Sequence, residues 1–498
     1  MGKGIMLQGT ASSVGKSILA VGLCRVFKED GYDVSPFKSQ NMSLNSFITP
    51  DGYEIGRAQA MQAEACEKAP SYKMNPILLK PTSDRKSQVI FKGKVHKTLD
   101  AVDYYAYKPK LKSEIQSVYD ELASESDIVV IEGAGSPAEI NLNKDDIVNM
   151  GMAQMAKSPV LLIGDIDKGG VFASLAGTML LLTEEERKRV KGIIINKFRG
   201  SIELLEPGLK QLEDIVGVPV LGVIPYFNLD LEEEDSATDL KKMYKTDGEI
   251  DVAIIRLPYM SNFTDFNCFK MYKDINVRFV ELHEKLENPD LVIIPGTKTT
   301  IHDMDALRKT GMDKQIIEAY EKGTHVFGIC GGFQMLGQEI MDEDKVETQL
   351  DQVQGIGLLS HRTRYKGEKM TTQAEGKDTL FNTPIKGYEI HMGDTLYEED
   401  TEPFMHVKLR NNEEVTIKDG AVGTRVLGTY MHGIFDNGDF TRQYLNTIRQ
   451  SKGLDPINEI PMDYWVYKEE QYSALAKILR DNMDMEKIYH ILEEGINE

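Results

Sequence analysis

A glycine-rich stretch near the start of the sequence contains the residue types that bind phosphate. It reads GTASSVGKS at residues 9–17, with one residue more between its glycines than the standard motif has. Backbone N–H groups of such a loop surround phosphate oxygens, a lysine adds a full positive charge, and a serine hydroxyl can ligate Mg²⁺. The stretch favours an ATP-type site over a purely structural turn. Its candidate binding residues are Gly9, Thr10, Gly15, Lys16 and Ser17.

Acid and amide side chains could complete this nucleotide site. Glu132 ends the apolar run at residues 128–131, and the carboxyl ends of parallel strands converge on a ligand crevice. Glu132 and Asp51 are therefore candidate Mg²⁺ ligands, although a solvated acid at a strand end gives the same pattern. Asn196 ends another run and could either read an adenine edge or cap a turn.

A cysteine lies in a second glycine-rich stretch, VFGICGGFQMLG at residues 326–337. Small residues relieve crowding in a sharp strand-to-helix turn, and a helix N-terminus lowers the pKa of a thiol. The pattern predicts that Cys330 is a nucleophile, whereas the alternative is an inert core cysteine. The backbone N–H of Gly331, and that of Gly296 in a second strand-end loop, could stabilise an oxyanion.

A thiol nucleophile needs a base, and the sequence has nine histidines. His432, in GTYMHGIF just beyond an apolar run, is the best candidate, and His391, in GYEIHMG, is the second. The two sites together indicate a coupled reaction. Attack of a thiol on the glutamine side-chain amide releases ammonia, and a carboxylate that ATP has activated as an acyl phosphate can then accept it.

Short apolar runs that alternate with helical patterns must position these residues. Such runs are typical of strands buried on both faces, so we expect an α/β fold with parallel sheets. In the first half they lie at residues 5–8, 34–37, 128–132, 160–165, 192–196 and 220–225. A second series lies at residues 251–255, 291–295, 326–329, 387–390 and 424–430.

The composition excludes several classes of protein. Lys and Arg number 58 against 79 Asp and Glu, and the net charge of −21 argues against nucleic-acid binding and against docking on anionic lipid. A local cationic pocket remains compatible with this charge. The four scattered cysteines and the short apolar runs predict a cytoplasmic protein without disulfides or membrane spans.

Over its whole length the sequence resembles the cobyric acid synthases of the cobalamin pathway. Besides the phosphate loop and the Cys330 turn, matching stretches are KSQNMSLN at 38–45, EGAGSPAEINL at 132–142, DIVNMG at 146–151, DIDKGGVF at 165–172 and YMHGIF at 430–435. The resemblance implies a P-loop-type, dethiobiotin-synthetase-like ATP-binding domain and a class I glutamine amidotransferase domain. We expect these at residues 1–229 and 251–445, with an acidic linker at 230–250 and a helical extension at 446–498.

The resemblance also implies an activity, namely ATP-, Mg²⁺- and glutamine-dependent amidation of the b, d, e and g carboxylates of adenosylcobyrinic acid a,c-diamide. Cys330 then attacks L-glutamine with His432 as base, and Asp146 lies in the corrinoid-amidation motif. Apart from the resemblance, Lys38 is a local positive charge that could help to hold the anionic substrates against the net charge of the chain. Many triad amidotransferases continue the catalytic histidine with Pro-Glu. Here Gly433 and Ile434 follow instead, so no carboxylate can be assigned to orient His432.

Other functions share parts of this pattern. A cobyrinic acid a,c-diamide synthase would have both domain types, but residues 40–45 and 136–142 favour the four-amide enzyme. A non-enzymatic partitioning-type ATPase switch would not need Cys330 and His432. A metal-dependent hydrolase would need a His and Cys cluster that the sequence lacks. The sequence leaves the oligomeric state open.

Overall fold

The apolar runs of the sequence form strands in two separate parts of the chain. The computed structural model describes residues 2–82, 86–141, 143–231, 248–348 and 350–496. One unit comprises Met1–Ser43, Ile55–Glu234 and Tyr467–Glu498, and the other comprises Leu44–Glu54 and Asp235–Val466. Most of the predicted acidic linker, residues 232–247, lies outside the described residues. Each unit contains a mainly parallel sheet with helices, which confirms the predicted α/β fold class.

The first half of the chain supplies twelve strands and seven α-helices to the described structure. In chain order they are β1 (Lys3–Gly9), α1 (Lys16–Glu29), β2 (Val34–Phe37), β3 (Gln40–Met42), β4 (Ser46–Ile48), β5 (Glu54–Gly56), α2 (Arg57–Ala65), β6 (Ile77–Pro81), β7 (Lys86–Phe91), β8 (Lys94–Asp100), α3 (Ala101–Ser124), β9 (Ile128–Glu132), α4 (Met150–Met155), β10 (Val160–Asp165), α5 (Val171–Leu181), α6 (Glu184–Arg189), β11 (Val190–Phe198), α7 (Ile202–Val216) and β12 (Val220–Pro225).

The second half continues this numbering. Its elements are β13 (Ile250–Arg256), β14 (Ile275–Glu281), β15 (Leu291–Ile294), α8 (Thr300–Thr310), α9 (Met312–Glu321), β16 (His325–Ile329), α10 (Gly331–Leu336), β17 (Glu339–Met341), β18 (Gln352–Gln354), β19 (His361–Asp378), β20 (Pro384–Tyr397), β21 (Met405–Arg410), β22 (Glu413–Asp419), β23 (Ala421–Val422), β24 (Val426–Thr429), β25 (Met431–His432), α11 (Gly438–Ser451), α12 (Tyr464–Asn482) and α13 (Met485–Glu494). Short 3₁₀ helices include Tyr72–Met74, Asn143–Asp145, Phe263–Met271 and Ile434–Asp436.

The main sheet of the first unit is parallel throughout, with strand order β12-β11-β10-β1-β9-β2. All six runs predicted in the first half are strands of this sheet. Leu7 on β1 is paired with Glu132 on β9, and Gly9 is paired with Ile163 on β10. The carboxyl ends of β1, β9, β10 and β11 therefore share one edge, where the phosphate loop begins. A further sheet, β3-β6-β7-β8, was not predicted from the sequence.

The second unit combines a mainly parallel sheet with a mainly antiparallel one. The first has the order β14-β13-β15-β16-β24-β23, and the second runs β18-β17-β19-β20-β25, with β21 paired to β19 and β22 paired to β21. The run at residues 387–390, expected in the parallel series, lies instead in antiparallel β20. Its apolar residues are buried because β20 packs on the site described below. The run at 424–430 ends as a strand at Thr429, and the chain then turns into β25.

The C-terminal helices α12 and α13 fold with the first unit from Tyr467 onwards. Lys468 and Tyr472 both donate to the buried carboxylate of Glu64 on α2, at 2.9 and 2.8 Å. Met483 forms an antiparallel bridge with Gly222 on β12. The chain thus returns to its first unit at its end. No helix among the described residues is long and apolar enough to cross a membrane.

Candidate active site

The phosphate loop lies between β1 and α1, as predicted, and two of its glycines have no room for a side chain. A Cβ on Gly9 would lie 2.4 Å from Val14 Cγ2, and one on Gly15 would lie 2.2 Å from Asn196 Nδ2. Gly15 also has φ +99°, a left-handed conformation that favours glycine. The Lys16 ammonium donates to the carbonyls of Ala11 and Gly135, each at 3.0 Å. The loop therefore brings backbone N–H groups and one positive charge together at a helix N-terminus, which suits a phosphate.

Two of the residues predicted for the phosphate site, Ser17 and Lys38, meet at the carboxylate of Glu132, the predicted Mg²⁺ ligand, which is 2% exposed. Its Oε1 accepts hydrogen bonds from Ser17 Oγ at 2.7 Å and from Lys38 Nζ at 2.9 Å. Its Oε2 accepts from Gln62 Nε2 at 2.6 Å. A hydroxyl and a carboxylate are the hard oxygen ligands that Mg²⁺ prefers. In the described ranges, no group of three or more His, Cys, Asp and Glu side chains could hold a metal ion. Phosphate and water oxygens would therefore have to complete the coordination shell of Mg²⁺ at Ser17 and Glu132.

Asp51, the other predicted Mg²⁺ ligand, belongs to the second unit. It is exposed, and its carboxylate accepts from Thr49 Oγ1 at 2.5 Å. Asp146 is used locally by the chain: it accepts the N–H groups of Val148 and Gly151 at 2.8 and 2.9 Å. The structure thus places Asp146 as a cap on the loop that leads into α4, and its predicted part in amidation remains a prediction.

Asn196 closes the phosphate loop from the end of β11. Its Nδ2 donates to Val14 O at 2.9 Å, while its Oδ1 is buried without a hydrogen-bond partner. The neighbouring Lys197 donates to Ser13 O at 2.8 Å and to Asp165 at 2.9 Å. An unpartnered buried amide oxygen beside the loop can accept a hydrogen bond from a ligand N–H group.

Cys330 lies in the sharp turn between β16 and α10 that the sequence predicted. Its φ of +53° is rare for a residue with a side chain. The turn requires glycine on its far side, because a Cβ on Gly332 would lie 1.9 Å from Ile294 O. A Cβ on Gly331 would lie 3.2 Å from the backbone nitrogen of Thr297, the residue after Gly296. The two predicted oxyanion donors therefore lie on the loops that meet at this turn.

His432 is buried beside Cys330 and forms an ion pair that the sequence analysis missed. Its Nδ1 lies 2.7 Å from Asp265 Oδ2, and the N–H of Gly433 donates to Asp265 Oδ1 at 3.1 Å. Burial alone would lower the pKa of His432, but the charge and hydrogen bond of Asp265, together with a hydrogen bond to Cys330, raise it to about 10. Cys330, His432 and Asp265 thus form a thiol–imidazole–carboxylate arrangement.

Asp265 lies 167 residues before His432 in the sequence. It is in the 3₁₀ helix Phe263–Met271, shortly after β13 ends. The stretch SNFTDF at residues 261–266 could have indicated Asp265, because it places an acid in a polar loop that follows a predicted strand. A pattern that places the carboxylate directly after the catalytic histidine gives no indication of Asp265.

His391, the second candidate base, has a different environment. Its ring stacks on Tyr430 with centroids 3.7 Å apart, and its Nδ1 is 3.1 Å from Gly393 O. Burial lowers its pKa to about 3, so its imidazole is neutral. Since no carboxylate contacts it among the hydrogen bonds of the described residues, His432 is the better base.

Polar side chains surround the turn on the side of α10. Gln334 Nε2 donates to Met392 O at 3.0 Å and to Tyr430 Oη at 3.2 Å, and Thr300 Oγ1 donates to Gln334 Oε1 at 3.1 Å. Amide and hydroxyl groups of this kind suit a small polar substrate beside Cys330.

Replacing Asp265 by asparagine tests whether this carboxylate keeps His432 protonated. The amide has the shape of the carboxylate but no charge, so burial would dominate and the imidazole would become neutral. We expect glutamate release from glutamine to fall by roughly 10²–10⁴-fold and the alkylation of Cys330 by iodoacetamide to slow at pH 7. The pH profile of alkylation measures this, and a profile equal to that of the unchanged chain would contradict it.

The same pKa predicts the pH dependence of stability. His432 has a pKa of about 10 in the folded chain against an ordinary value of 6.5, so its pair with Asp265 stabilises the fold fully below pH 6.5. This contribution is lost as the pH rises through 10. Urea midpoints of the unchanged chain and of Asp265→Asn should therefore differ most between about pH 5 and 6.5 and converge at high pH.

Two family models match the chain, one in each half of the sequence. The family model described as the CobQ/CobB/MinD/ParA nucleotide binding domain matches residues 5–237. The CobB/CobQ-like glutamine amidotransferase domain matches residues 251–440. The first of these covers the phosphate loop, and the second covers Cys330, His432 and Asp265.

Curated relatives match along the whole chain. The cobyric acid synthase of Clostridium novyi (strain NT) is 61% identical over 100% of this chain and 99% of its own length. Those of Thermoanaerobacter sp. (strain X514) and Streptococcus sanguinis (strain SK36) are 52% and 51% identical, over 98% and 99% of this chain and of their own lengths. These matches confirm the resemblance stated from the sequence: the chain belongs to the cobyric acid synthase family.

Proposed function

We propose that this chain uses ATP and L-glutamine to amidate the b, d, e and g carboxylates of adenosylcobyrinic acid a,c-diamide, which gives adenosylcobyric acid. The observation that carries the proposal is the thiol–imidazole–carboxylate arrangement of Cys330, His432 and Asp265, with 2.7 Å between the last two. It lies in a chain whose other unit has a phosphate loop. The substrate is inferred from the family to which the chain belongs.

At the thiol site, Cys330 is the nucleophile. Its thiolate attacks the side-chain amide carbon of glutamine, and the N–H groups of Gly331 and Gly296 hold the resulting oxyanion. His432, kept protonated by Asp265, gives its proton to the departing ammonia, which leaves a glutamyl thioester. The neutral imidazole then takes a proton from water, the hydroxide attacks the thioester, and glutamate and the thiolate are released.

At the phosphate site, Gly9, Thr10, Gly15 and Lys16 hold the phosphates of ATP. Mg²⁺ held by Ser17 and Glu132 would neutralise charge on the phosphates. Lys38 lies against Glu132 at 2.9 Å and can hold the anionic carboxylate of the substrate. The carboxylate attacks the γ-phosphorus, ADP leaves, and the acyl phosphate loses phosphate when ammonia attacks its carbonyl carbon.

Two further assignments complete the proposal. The unpartnered Oδ1 of Asn196 accepts a hydrogen bond from the exocyclic amine of adenine, while its Nδ2 stays on the loop. Asp146 acts through the loop that its carboxylate holds.

The four cysteines are free thiols, as expected in a reducing compartment, and we place the protein in the cytoplasm.

Product analysis tests the proposal. The purified chain is incubated with ATP, Mg²⁺, glutamine and the a,c-diamide, and the corrinoid is examined by mass spectrometry. Four successive acid-to-amide mass changes, with glutamate and phosphate released, are expected. Amidation of unmodified cobyrinic acid at two positions would instead identify an a,c-diamide synthase. ATP hydrolysis without glutamate release would identify a nucleotide switch.

A further inference from the structure

A short segment from the first half of the sequence forms part of the thiol site. Residues Leu44–Glu54 belong to the second unit, whereas Ser43 before them and Ile55 after them belong to the first. The segment contains β4, which is paired with β5 in a two-stranded sheet. We call it the 44–54 segment.

Polar contacts connect this segment to the residues around His432. The N–H of Ser46 donates to Asn262 Oδ1 at 3.2 Å, and Asn262 Nδ2 donates to Tyr388 Oη at 3.2 Å. Tyr388 Oη in turn donates to Ser46 O at 3.4 Å, which closes a ring of three hydrogen bonds. Asn262 immediately precedes the 3₁₀ helix that carries Asp265, and its φ of +54° is one that asparagine tolerates.

Tyr388 is directly opposite His432 in the pairing of β20 with β25. Its ring is stacked on the imidazole, with centroids 5.1 Å apart and an angle of 16° between the planes. A displacement of Tyr388 would therefore change the position of the imidazole. Through Asn262 and Tyr388, the 44–54 segment contacts the neighbours of both His432 and Asp265.

Apolar packing connects the segment to Cys330 as well. Ile48 is fully buried and packs with Tyr388 and Ile390 of β20, and Phe47 lies against the same group. The carbonyl oxygen of Ile390 is 3.3 Å from Cys330 Sγ, which donates to it. One side chain of the segment thus supports the strand residues that contact the thiol and the imidazole.

The segment is attached to β19 by contacts that do not involve the reactive groups. Glu54 and Lys369 form a buried ion pair at 2.5 Å. Thr371 Oγ1 donates to Gly52 O at 2.8 Å, and Gln373 Nε2 donates to Ile48 O. Since breaking a buried ion pair is costly, the segment is held firmly on β19, the strand paired with β20.

We propose that the 44–54 segment is a positioning element of the thiol site. Ile48 and the Ser46 backbone fix Tyr388, Asn262 and Ile390, and these in turn align His432 with Cys330 and Asp265. Ile48 and Ser46 reach the thiol and the imidazole only through these neighbours, so the segment acts through other residues. The inference rests on the proposed glutamine hydrolysis. It implies that the matched amidotransferase region, residues 251–440, is an incomplete thiol site without residues from the first half of the sequence.

The test uses Ile48→Ala in the full chain, with Ile48→Val as the conservative variant. We expect the kcat of glutamate release to fall at least about tenfold in Ile48→Ala, because small misplacement of reacting groups is costly. The KM for glutamine and the amidation supported by ammonia should stay within about twofold. The pH profile of Cys330 alkylation should change, and Ile48→Val should restore most of the rate.

Ile316→Ala is the matched control, because Ile316 is a fully buried isoleucine of the same unit on α9. It should lose similar stability and keep the kcat and the alkylation profile. Equal losses in Ile48→Ala and Ile316→Ala, or an unchanged profile in Ile48→Ala, would overturn the proposal. Absence of glutamate release from the unchanged chain would instead overturn the proposed function.

If Ile48→Ala does not fold, Tyr388→Phe tests the positioning role of the 44–54 segment instead. Phenylalanine keeps the stacked ring and removes only the hydroxyl that contacts Asn262 and Ser46. The hydroxyl makes two hydrogen bonds, and one lost hydrogen bond corresponds to about three- to tenfold. We therefore expect kcat to fall by at least about threefold, together with a changed alkylation profile. A variant that is unchanged in both would contradict the positioning role.

Discussion

Replacing Cys330 by alanine is expected to abolish glutamine-dependent amidation and to leave ammonia-dependent amidation intact. The thiolate is the group that forms the covalent intermediate, and loss of a nucleophile costs roughly 10⁴-fold or more. The acyl phosphate forms at the phosphate site and needs only ammonia, from whatever source. Glutamate release, and amide formation with glutamine or with ammonium chloride, measure the two activities separately.

The variant is well suited to this purpose because alanine keeps the Cβ of Cys330 and so does not alter the φ of +53° at the turn. Cys66→Ala is the matched control, since Cys66 is a buried thiol of the first unit that takes no part in the proposed chemistry. It should keep both activities. If folded Cys330→Ala lost ammonia-dependent amidation as well, the division of the reaction between two sites would be wrong.

Much of this site was predictable because its chemistry is encoded in consecutive residues. A strand, a glycine-rich turn and a helix occupy single short stretches, so residues 9–17 and 326–337 indicated both turns. The position of Glu132 followed from a general rule that the carboxyl ends of parallel strands share one edge. The structure places Ser17 and Lys38 against it as that rule suggests.

The missed features depend on pairings between distant parts of the sequence. Asp265 and His432 are 167 residues apart, and Ser46 and Asn262 are 216 apart. No periodicity or local spacing specifies which loop meets which strand end over such distances. The 44–54 segment is too short to be assigned to the second unit from composition. Asp51 lies within this segment, and its part as a Mg²⁺ ligand stays a prediction.

The apolar run at residues 387–390 shows a related limit. Burial on both faces predicted a strand correctly, but the strand lies in an antiparallel sheet. Antiparallel strands are usually half-exposed. Here the face of β20 that carries Tyr388 and Ile390 is covered by the 44–54 segment, through Ile48. A run of apolar residues indicates that a strand is buried, but it does not indicate which element packs against that strand.

Replacing Glu132 by glutamine is expected to have the opposite signature to Cys330→Ala. The amide has the shape of the carboxylate, but it is a weak ligand for Mg²⁺ and does not balance the charge of Lys38, 2.9 Å away. We expect amidation to fall by roughly 10²–10³-fold whether glutamine or ammonia supplies the nitrogen. Phosphate release with the a,c-diamide measures the loss directly.

Lys38 and Glu132 form a buried pair, so the variant also leaves a buried positive charge without this partner carboxylate. A loss of stability therefore has to be separated from a loss of amidation activity. Glutamate release measured without ATP provides the separation, because Cys330, His432 and Asp265 belong to the other unit. It should remain at the level of the unchanged chain. Glu114→Gln, at an exposed glutamate that also pairs with a lysine, Lys92 at 2.7 Å, should change neither activity. Full ammonia-dependent amidation by Glu132→Gln would exclude Glu132 from the phosphate site, whereas its loss with glutamate release preserved would assign the two half-reactions to the two units.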